Sequence, residues 1–168
     1  MPLNGKLEAN TLYMSLNSRS EKNSYHYGIL VTDTNTKATL YHASTNLGGD
    51  WRIESKVGRP DVSVTLIVLV KVDSLHKDGF STIAKSVPAD GSPSKRTGEA
   101  FRCLTWVKDV LVSLDTNGII KLPHDIDRFV TLAQSEAARE SRGVEGGLGA
   151  TVVNKLHQNT CITSSDGK

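Results

Sequence analysis

Hydrophobic positions along the first half of the chain cluster in short strand-like segments, and along the second half they recur at helical spacing. Within the first half, five segments are rich in β-branched and aromatic residues or alternate apolar with polar side chains, which is typical of strands. In one of them, Trp51 and Ile53 share one side while Arg52 and Glu54 share the other. The predicted strands are residues 11–16, 25–32, 37–44, 51–57 and 62–72.

Apolar residues in the second half recur every three or four positions, as they do on one face of a helix. The clearest segment is 99–114, where Phe101, Leu104, Val107 and Leu111 share a face and Asn117-Gly118 follows as a stop signal. The predicted helices are residues 73–86, 99–114 and 125–142.

A run of strands followed by a run of helices predicts the α+β class. We expect an antiparallel sheet from the N-terminal half, packed against helices from the C-terminal half. The chain has 168 residues, the length of one ordinary domain. Glycine and serine are frequent near the C-terminus, so we predict a single catalytic-type domain over 1–142 and a flexible tail over 143–168.

Charge, apolar stretches and cysteine content indicate which partners and which cellular location to expect. The formal net charge is +2 and no basic cluster stands out, so no nucleic-acid partner is expected. The longest apolar stretch, 62–72, is too short to cross a bilayer, and no secretory signal is recognisable at the N-terminus. Two cysteines, Cys103 and Cys161, cannot form a disulfide framework, which favours a reducing, cytoplasmic location.

His26 and His42 lie in adjacent predicted strands joined by the polar turn 33–37. In a hairpin centred on Thr34 the two imidazoles face each other, and a register shift of two makes them diagonal neighbours on the same face. Gly28 stands two residues from His26 and is expected to leave space for another group. A core histidine beside a rim histidine is the alternative interpretation.

Cys103 lies within the first turns of the clearest predicted helix. A helix N-terminus favours a thiolate, and its free N–H groups can hold a developing oxyanion. A thiolate, an imidazole base and an orienting group form the general pattern of an activated nucleophile. Many free cysteines are simply small buried hydrophobic residues, and that alternative stays open. Cys161, in the predicted tail, is expected to be inert.

Three short motifs carry a family resemblance: Tyr25-His26-Tyr27, Leu40-Tyr41-His42-Ala43 and Cys103-Leu104-Thr105-Trp106-Val107. Their order resembles that of the circularly permuted papain-like thiol enzymes, which include NlpC-type peptidases, lecithin:retinol acyltransferase-like proteins and PPPDE-type isopeptidases. The chain also resembles small fungal proteins, some associated with secondary-metabolite pathways. The resemblance covers roughly residues 10 to 120.

The resemblance implies a permuted papain-like fold with Cys103 as nucleophile, His26 as base and His42 as the residue that orients it. It implies hydrolysis or acyl transfer on an amide, ester or thioester of a small molecule or peptide, without a cofactor. The acyltransferases have Asn-Cys-Glu-His-Phe around the nucleophile, whereas this chain has Arg102-Cys103-Leu104-Thr105-Trp106. They also often carry a membrane anchor, and none is recognisable here, so lipid acyl transfer at a bilayer is not favoured.

Two other classes of function remain open. The same cleft could guide a cyclisation or isomerisation in a biosynthetic pathway without a covalent intermediate, or the chain could be a non-catalytic small-molecule binding module. A metal site is not predicted, because CxxC and HxxxH spacings are missing. The predicted substrate-binding residues are Tyr25, Tyr27, Trp51, Trp106 and Arg102.

Overall fold

The computed structural model describes residues 3–45, 48–145 and 148–156. These residues form a six-stranded sheet with the strand order β4-β3-β2-β1-β5-β6 and three helices, which confirms the predicted α+β class. The strands are β1 (Thr11–Ser18), β2 (Tyr25–Thr32), β3 (Ala38–Thr45), β4 (Trp51–Gly58), β5 (Leu66–Ser74) and β6 (Thr151–Val153), and the helices are α1 (Phe80–Ser86), α2 (Cys103–Thr116) and α3 (Ile126–Glu145).

The first four strands form an antiparallel meander, and β5 returns to pair with the other side of β1. Strand β1 is therefore central, and Leu12, Met14 and Leu16 on it have no exposed surface. Strand β6 adds to β5 in parallel. Because neighbouring strands in the meander are joined by short turns, most of the sheet assembles from local hairpins.

The two faces of the sheet are covered differently. Alternate residues of β1 and β2, such as Met14 and Ile29, join residues of all three helices in one large hydrophobic cluster. Residues of opposite parity, such as Tyr13 and Leu30, form a smaller cluster that contains no helical residue. We call the first the helix-covered face and the second the open face.

Helix α2 begins at Cys103, after Arg102 in extended conformation, and no side chain caps its N-terminus. Trp106, Val110 and Leu114 form its buried stripe, and the helix packs on β2 and β3. Its N-terminus therefore lies over the strands that carry the two histidines. Among the described residues, no helix combines the length and apolarity needed to cross a membrane.

Strand β5 and helix α1 begin later than predicted. Val62 and Val64 are 54% and 89% exposed, and pairing begins only near Leu66. The strand then continues through Ser74, so α1 begins at Phe80, after Gly79 with a φ of 124°. The apolar stretch did not predict the start of β5 correctly, because the exposed Val62 and Val64 lie outside the sheet.

Helix α3 and a short strand continue past the predicted tail boundary at residue 142. Helix α3 runs to Glu145, and Thr151–Val153 forms β6. Val152 and Val153 are buried, and the backbone of Asn4 bonds to both Ala150 and Val152. A strand of three residues is too short to show a periodic pattern, which is why the sequence did not reveal it. The rest of the predicted tail, including Cys161, lies outside the described residues.

Candidate active site

His26 and His42 contact each other, as expected from their shared strand parity. The β2–β3 ladder pairs Leu30 with Leu40. This register is shifted by two from the hairpin centred on Thr34, in which the histidines would face each other directly. The histidines are therefore diagonal neighbours on the open face. His26 Nε2 lies 3.0 Å from His42 Nδ1, and the two rings are nearly perpendicular at 87°. The second of the two expected registers is therefore the one present.

The β2–β3 ladder ends close to these histidines. Its last pair is Ile29 with Tyr41; beyond it, β2 continues to pair with β1 and β3 with β4. The imidazole contact thus joins the two strands where their backbone hydrogen bonds stop. Gly28 does not leave open space, contrary to expectation, because a Cβ there would lie 2.9 Å from Ser15 Oγ and 3.1 Å from Leu40 Cδ1.

Arg19, just after β1, connects the histidine pair to the cysteine. Its Nη2 lies 3.4 Å from His26 Nδ1 and 3.6 Å from Cys103 Sγ. The thiol and the imidazole are therefore at most 7.0 Å apart, the sum of 3.4 and 3.6 Å. One guanidinium nitrogen thus contacts both groups, and Arg19 is exposed.

The contacts from Arg19 through His26 to His42 determine the tautomer of each histidine. A guanidinium only donates, so His26 Nδ1 carries the lone pair and His26 Nε2 carries the proton. Nε2–H then donates to His42 Nδ1, which leaves the second proton of this pair on His42 Nε2. That nitrogen is buried without a hydrogen-bond partner, and the nearest carboxylate oxygen, Glu54 Oε2, lies 3.5 Å away. The distance suits an electrostatic contact and is long for a hydrogen bond.

Burial and positive neighbours keep both imidazoles neutral. Burial, followed by the charges of His42, Arg19 and Lys56, lowers the pKa of His26 to about 4. Burial also lowers the pKa of His42, while Glu54 opposes this shift. A neutral imidazole is the form that accepts a proton. The lone pair of His26 faces Arg19, on the side where the thiol lies.

Cys103 occupies the first position of α2 and is 4% exposed. It belongs to the helix-covered core together with Tyr25 and Tyr27. Because side chains alternate along a strand, His26 between those tyrosines belongs to the opposite face. The thiol and the imidazole thus approach from different sides of β2, and Arg19 joins them at the end of the strand.

The predicted substrate-binding aromatics lie mostly in the core. Trp106 is 1% exposed, and Tyr25 and Tyr27 are also buried, so these side chains hold the sheet and α2 together. Trp51 is partly buried and packs edge-on against Phe101, with ring centroids 4.8 Å apart. The fifth predicted residue, Arg102, is exposed at the N-cap of α2.

Tyr27 has a polar partner that links the strand to α3. Gln134 Nε2 donates to Tyr27 Oη over 2.7 Å. Burial is the main cause that raises the pKa of Tyr27, and the nearby Cys103 adds to the shift. The phenol therefore stays neutral close to the thiol and retains its own proton for donation.

Sequence reasoning missed Arg19, Glu54 and Gln134. Arg19 follows β1 in a polar turn, where no spacing pattern marks it. Glu54 could have been found, because alternation along β4 places it on the side opposite to Trp51. In the structure it pairs with His42 across the β3–β4 ladder. Gln134 depends on the docking of α3, which local patterns do not encode.

Within the described part of the chain, no group of three or more His, Cys, Asp or Glu side chains could hold a metal ion. A family model matches residues 12–121. The chain belongs to DUF6540, a family of unknown function. The DUF6540 segment includes Arg19, His26, His42, Glu54 and Cys103, whereas α3 and β6 follow it. No curated protein and no solved structure matches the chain.

Proposed function

We propose that this protein is a cysteine-dependent hydrolase or acyltransferase that acts on an amide, ester or thioester of a small molecule or peptide. The observation that carries the proposal is the continuous contact from Cys103 Sγ through Arg19 to His26 and on to His42. In this proposal Cys103 is the nucleophile, His26 the base and His42 the residue that orients the base.

Arg19 controls the approach of base and nucleophile. While its guanidinium occupies the space between them, His26 cannot take the thiol proton directly. A substrate whose carbonyl oxygen or leaving group engages Arg19 draws the guanidinium aside. Removing this cation from His26 also removes one cause of its low pKa, so the imidazole becomes a stronger base when the thiol comes within reach.

The chemical steps balance without a cofactor. His26 Nδ1 accepts the thiol proton, and the thiolate of Cys103 attacks the carbonyl carbon. Backbone N–H groups in the first turn of α2 stabilise the oxyanion, since they have no intrahelical acceptors. Collapse of the adduct expels the leaving group, which takes the proton from His26. Water or an acceptor hydroxyl, thiol or amine then attacks the thioester and regenerates the thiol.

The test uses 4-nitrophenyl acetate as a small activated ester and reads covalent labelling by intact mass. Wild type is expected to form one acetyl adduct, which Cys103→Ala removes. Cys161→Ala is the matched control and should label like wild type. Peptide mapping of the adduct identifies the labelled side chain.

Two results would contradict the proposal. The first is an adduct of equal yield on Cys103→Ala, which would place the reactive group elsewhere. The second is a wild-type protein that remains unlabelled and whose Cys103 reacts with iodoacetamide no faster than it does in denaturant. Circular dichroism of each variant separates loss of chemistry from loss of fold.

A second candidate is a biosynthetic cyclase or isomerase without a covalent intermediate. The observation that favours it is the position of Cys103, which is 4% exposed and is separated from His26 by Arg19. Under this function, Cys103→Ala retains turnover of the pathway substrate, while His26→Gln loses it. Such a pair of results would replace the thiol mechanism.

A further inference from the structure

The open face contains a cavity of about 290 Å³ that the thiol chemistry does not use. Its apolar surface comes from leucines on three strands, including Leu30, Leu40 and Leu69. Leu30 and Leu69 are almost fully buried. The volume stands at the small end of ligand pockets, which span about 300–1,000 Å³, so it suits a molecule the size of one ring with short substituents.

One buried polar group lines this cavity without a partner. Ser15 is 2% exposed, and its Oγ has no hydrogen-bond partner. The backbone of β1 pairs with β2 and β5 on either side of Ser15, so only the hydroxyl is unsatisfied. A buried hydroxyl without a partner costs about 1–3 kcal/mol, and a ligand atom that bonds to it recovers part of that loss.

A cation lines the same cavity on its β4 side. Lys56 lines the cavity from β4 and is exposed. Its positive charge also acts on both histidines. From Lys56 the row of paired residues passes through Leu40 and Leu30 to Tyr13, and Ser15 lies two residues farther along β1, opposite Gly28. Three strand spacings of roughly 4.8 Å, about 14 Å in all, separate the backbones of β4 and β1.

We propose that the open-face cavity binds a small carboxylate with an apolar body and a second hydrogen-bonding group at its far end. The ammonium of Lys56 binds the carboxylate, the leucines contact the body, and Ser15 Oγ bonds the distal group. None of these residues transfers a proton or contacts the thiol in the proposed mechanism, and Lys56 influences it only through its charge on the histidines. The binding test below therefore does not depend on the thiol mechanism.

The test uses 4-hydroxyphenylacetate as the probe and two analogues, phenylacetate without the hydroxyl and 4-hydroxyphenylacetamide without the charge. Titrations followed by ¹H–¹⁵N NMR are run on Cys103→Ala, so that no thiol chemistry interferes. The probe is expected to shift the amide signals of Ser15, Leu40 and Gly58 saturably, and each analogue should bind several-fold more weakly.

Substitutions assign each end of the ligand. Lys56→Gln should weaken the probe about tenfold and abolish its preference over the amide. Ser15→Ala, which removes only an unpartnered hydroxyl, should abolish its preference over phenylacetate. Lys85→Gln, at an exposed lysine of α1, is the control and should bind like wild type. No saturable shift below about 10 mM, or equal affinity in Lys56→Gln and Lys85→Gln, would overturn the proposal.

Discussion

The two faces of the sheet differ in what covers them and in what that cover permits. On the helix-covered face, α2 packs Trp106 and Leu111 against the strands, and both side chains are almost completely buried. On the open face, the cluster around Tyr13 and Leu69 is smaller, and a polar residue such as Lys56 is exposed. The first face holds the thiol at one position, whereas the second carries the histidine pair, in which the His42 side chain is only 12% exposed.

The helix-covered face therefore fixes the position of Cys103, whereas the open face allows the two imidazoles to change orientation. Cys103 is fixed by the start of a well-packed helix, so its sulfur cannot travel far without disturbing the core. The imidazoles depend on each other and on the exposed Arg19 for their orientation. A site assembled from both faces can therefore be altered on the open side while the fold persists.

The largest expected effect follows removal of the proposed base. His26→Ala should lower turnover at least about 1,000-fold, because the thiol loses its proton acceptor. His42→Ala should lower it less, about 10- to 100-fold, because His26 stays in place with a less defined tautomer. Single-turnover acylation rates measure both effects. Equal losses for the two variants would contradict the assigned roles.

The next effect compares stability between the faces. Leu111→Ala, in the helix-covered core, should lower the free energy of unfolding by about 3 kcal/mol, because it leaves a cavity that the packed helix cannot close. Leu40→Ala, at a partly buried position of the open face, should cost about 1 kcal/mol. Urea denaturation gives both values. A larger cost for Leu40→Ala would show that the open face carries more of the stability than its cover implies.

The third effect is a dependence of stability on pH that originates on the open face. The pKa of His26 falls from 6.5 to about 4 on folding, so the unfolded chain binds more protons between these values. Stability should therefore rise with pH from about 4 to 6.5, and His26 contributes on the order of 2 kcal/mol to this rise after allowance for its partial exposure. The measurement is the difference between wild type and His26→Gln in unfolding free energy at pH 4.5 and 7. Parallel curves for the two proteins would refute this origin.

The smallest effect tests the link between the faces. Arg19→Gln should raise the titration midpoint of His26, because one of the positive charges that lower the pKa of this imidazole is lost. Histidine NMR signals followed against pH report this shift directly. Arg59→Gln, whose arginine pairs with Asp61 at an exposed position, is the control. An unchanged midpoint in Arg19→Gln would remove Arg19 from the proposed mechanism.

Local patterns predicted the parts of the molecule that form locally. Aromatic and β-branched residues predicted β2, and alternation predicted the two sides of β4, because period two reflects which face of a strand is buried. The same parity placed His26 and His42 on one face, although the register differed by two. Helical spacing predicted α2, and with it Cys103 near a helix N-terminus.

Features that depend on contacts between distant segments could not be predicted from the sequence. The position of Arg19 between thiol and imidazole depends on how α2 docks at the end of β2, and no spacing in the chain encodes that. The expectation that Trp106 lines a cleft followed from its aromatic character, yet the same character also suits a core. Only tertiary packing distinguishes the two roles.

The pairing of Asn4 with Thr151 has a consequence for how the chain folds. These residues stand 147 positions apart, from 151 − 4, and such a contact closes a very long loop with little local support. The meander from β1 to β4 needs only short loops and can form early. The outer edge of β5 therefore stays unpaired until residues 151–153 have been synthesised, and during that time it can pair wrongly with another strand.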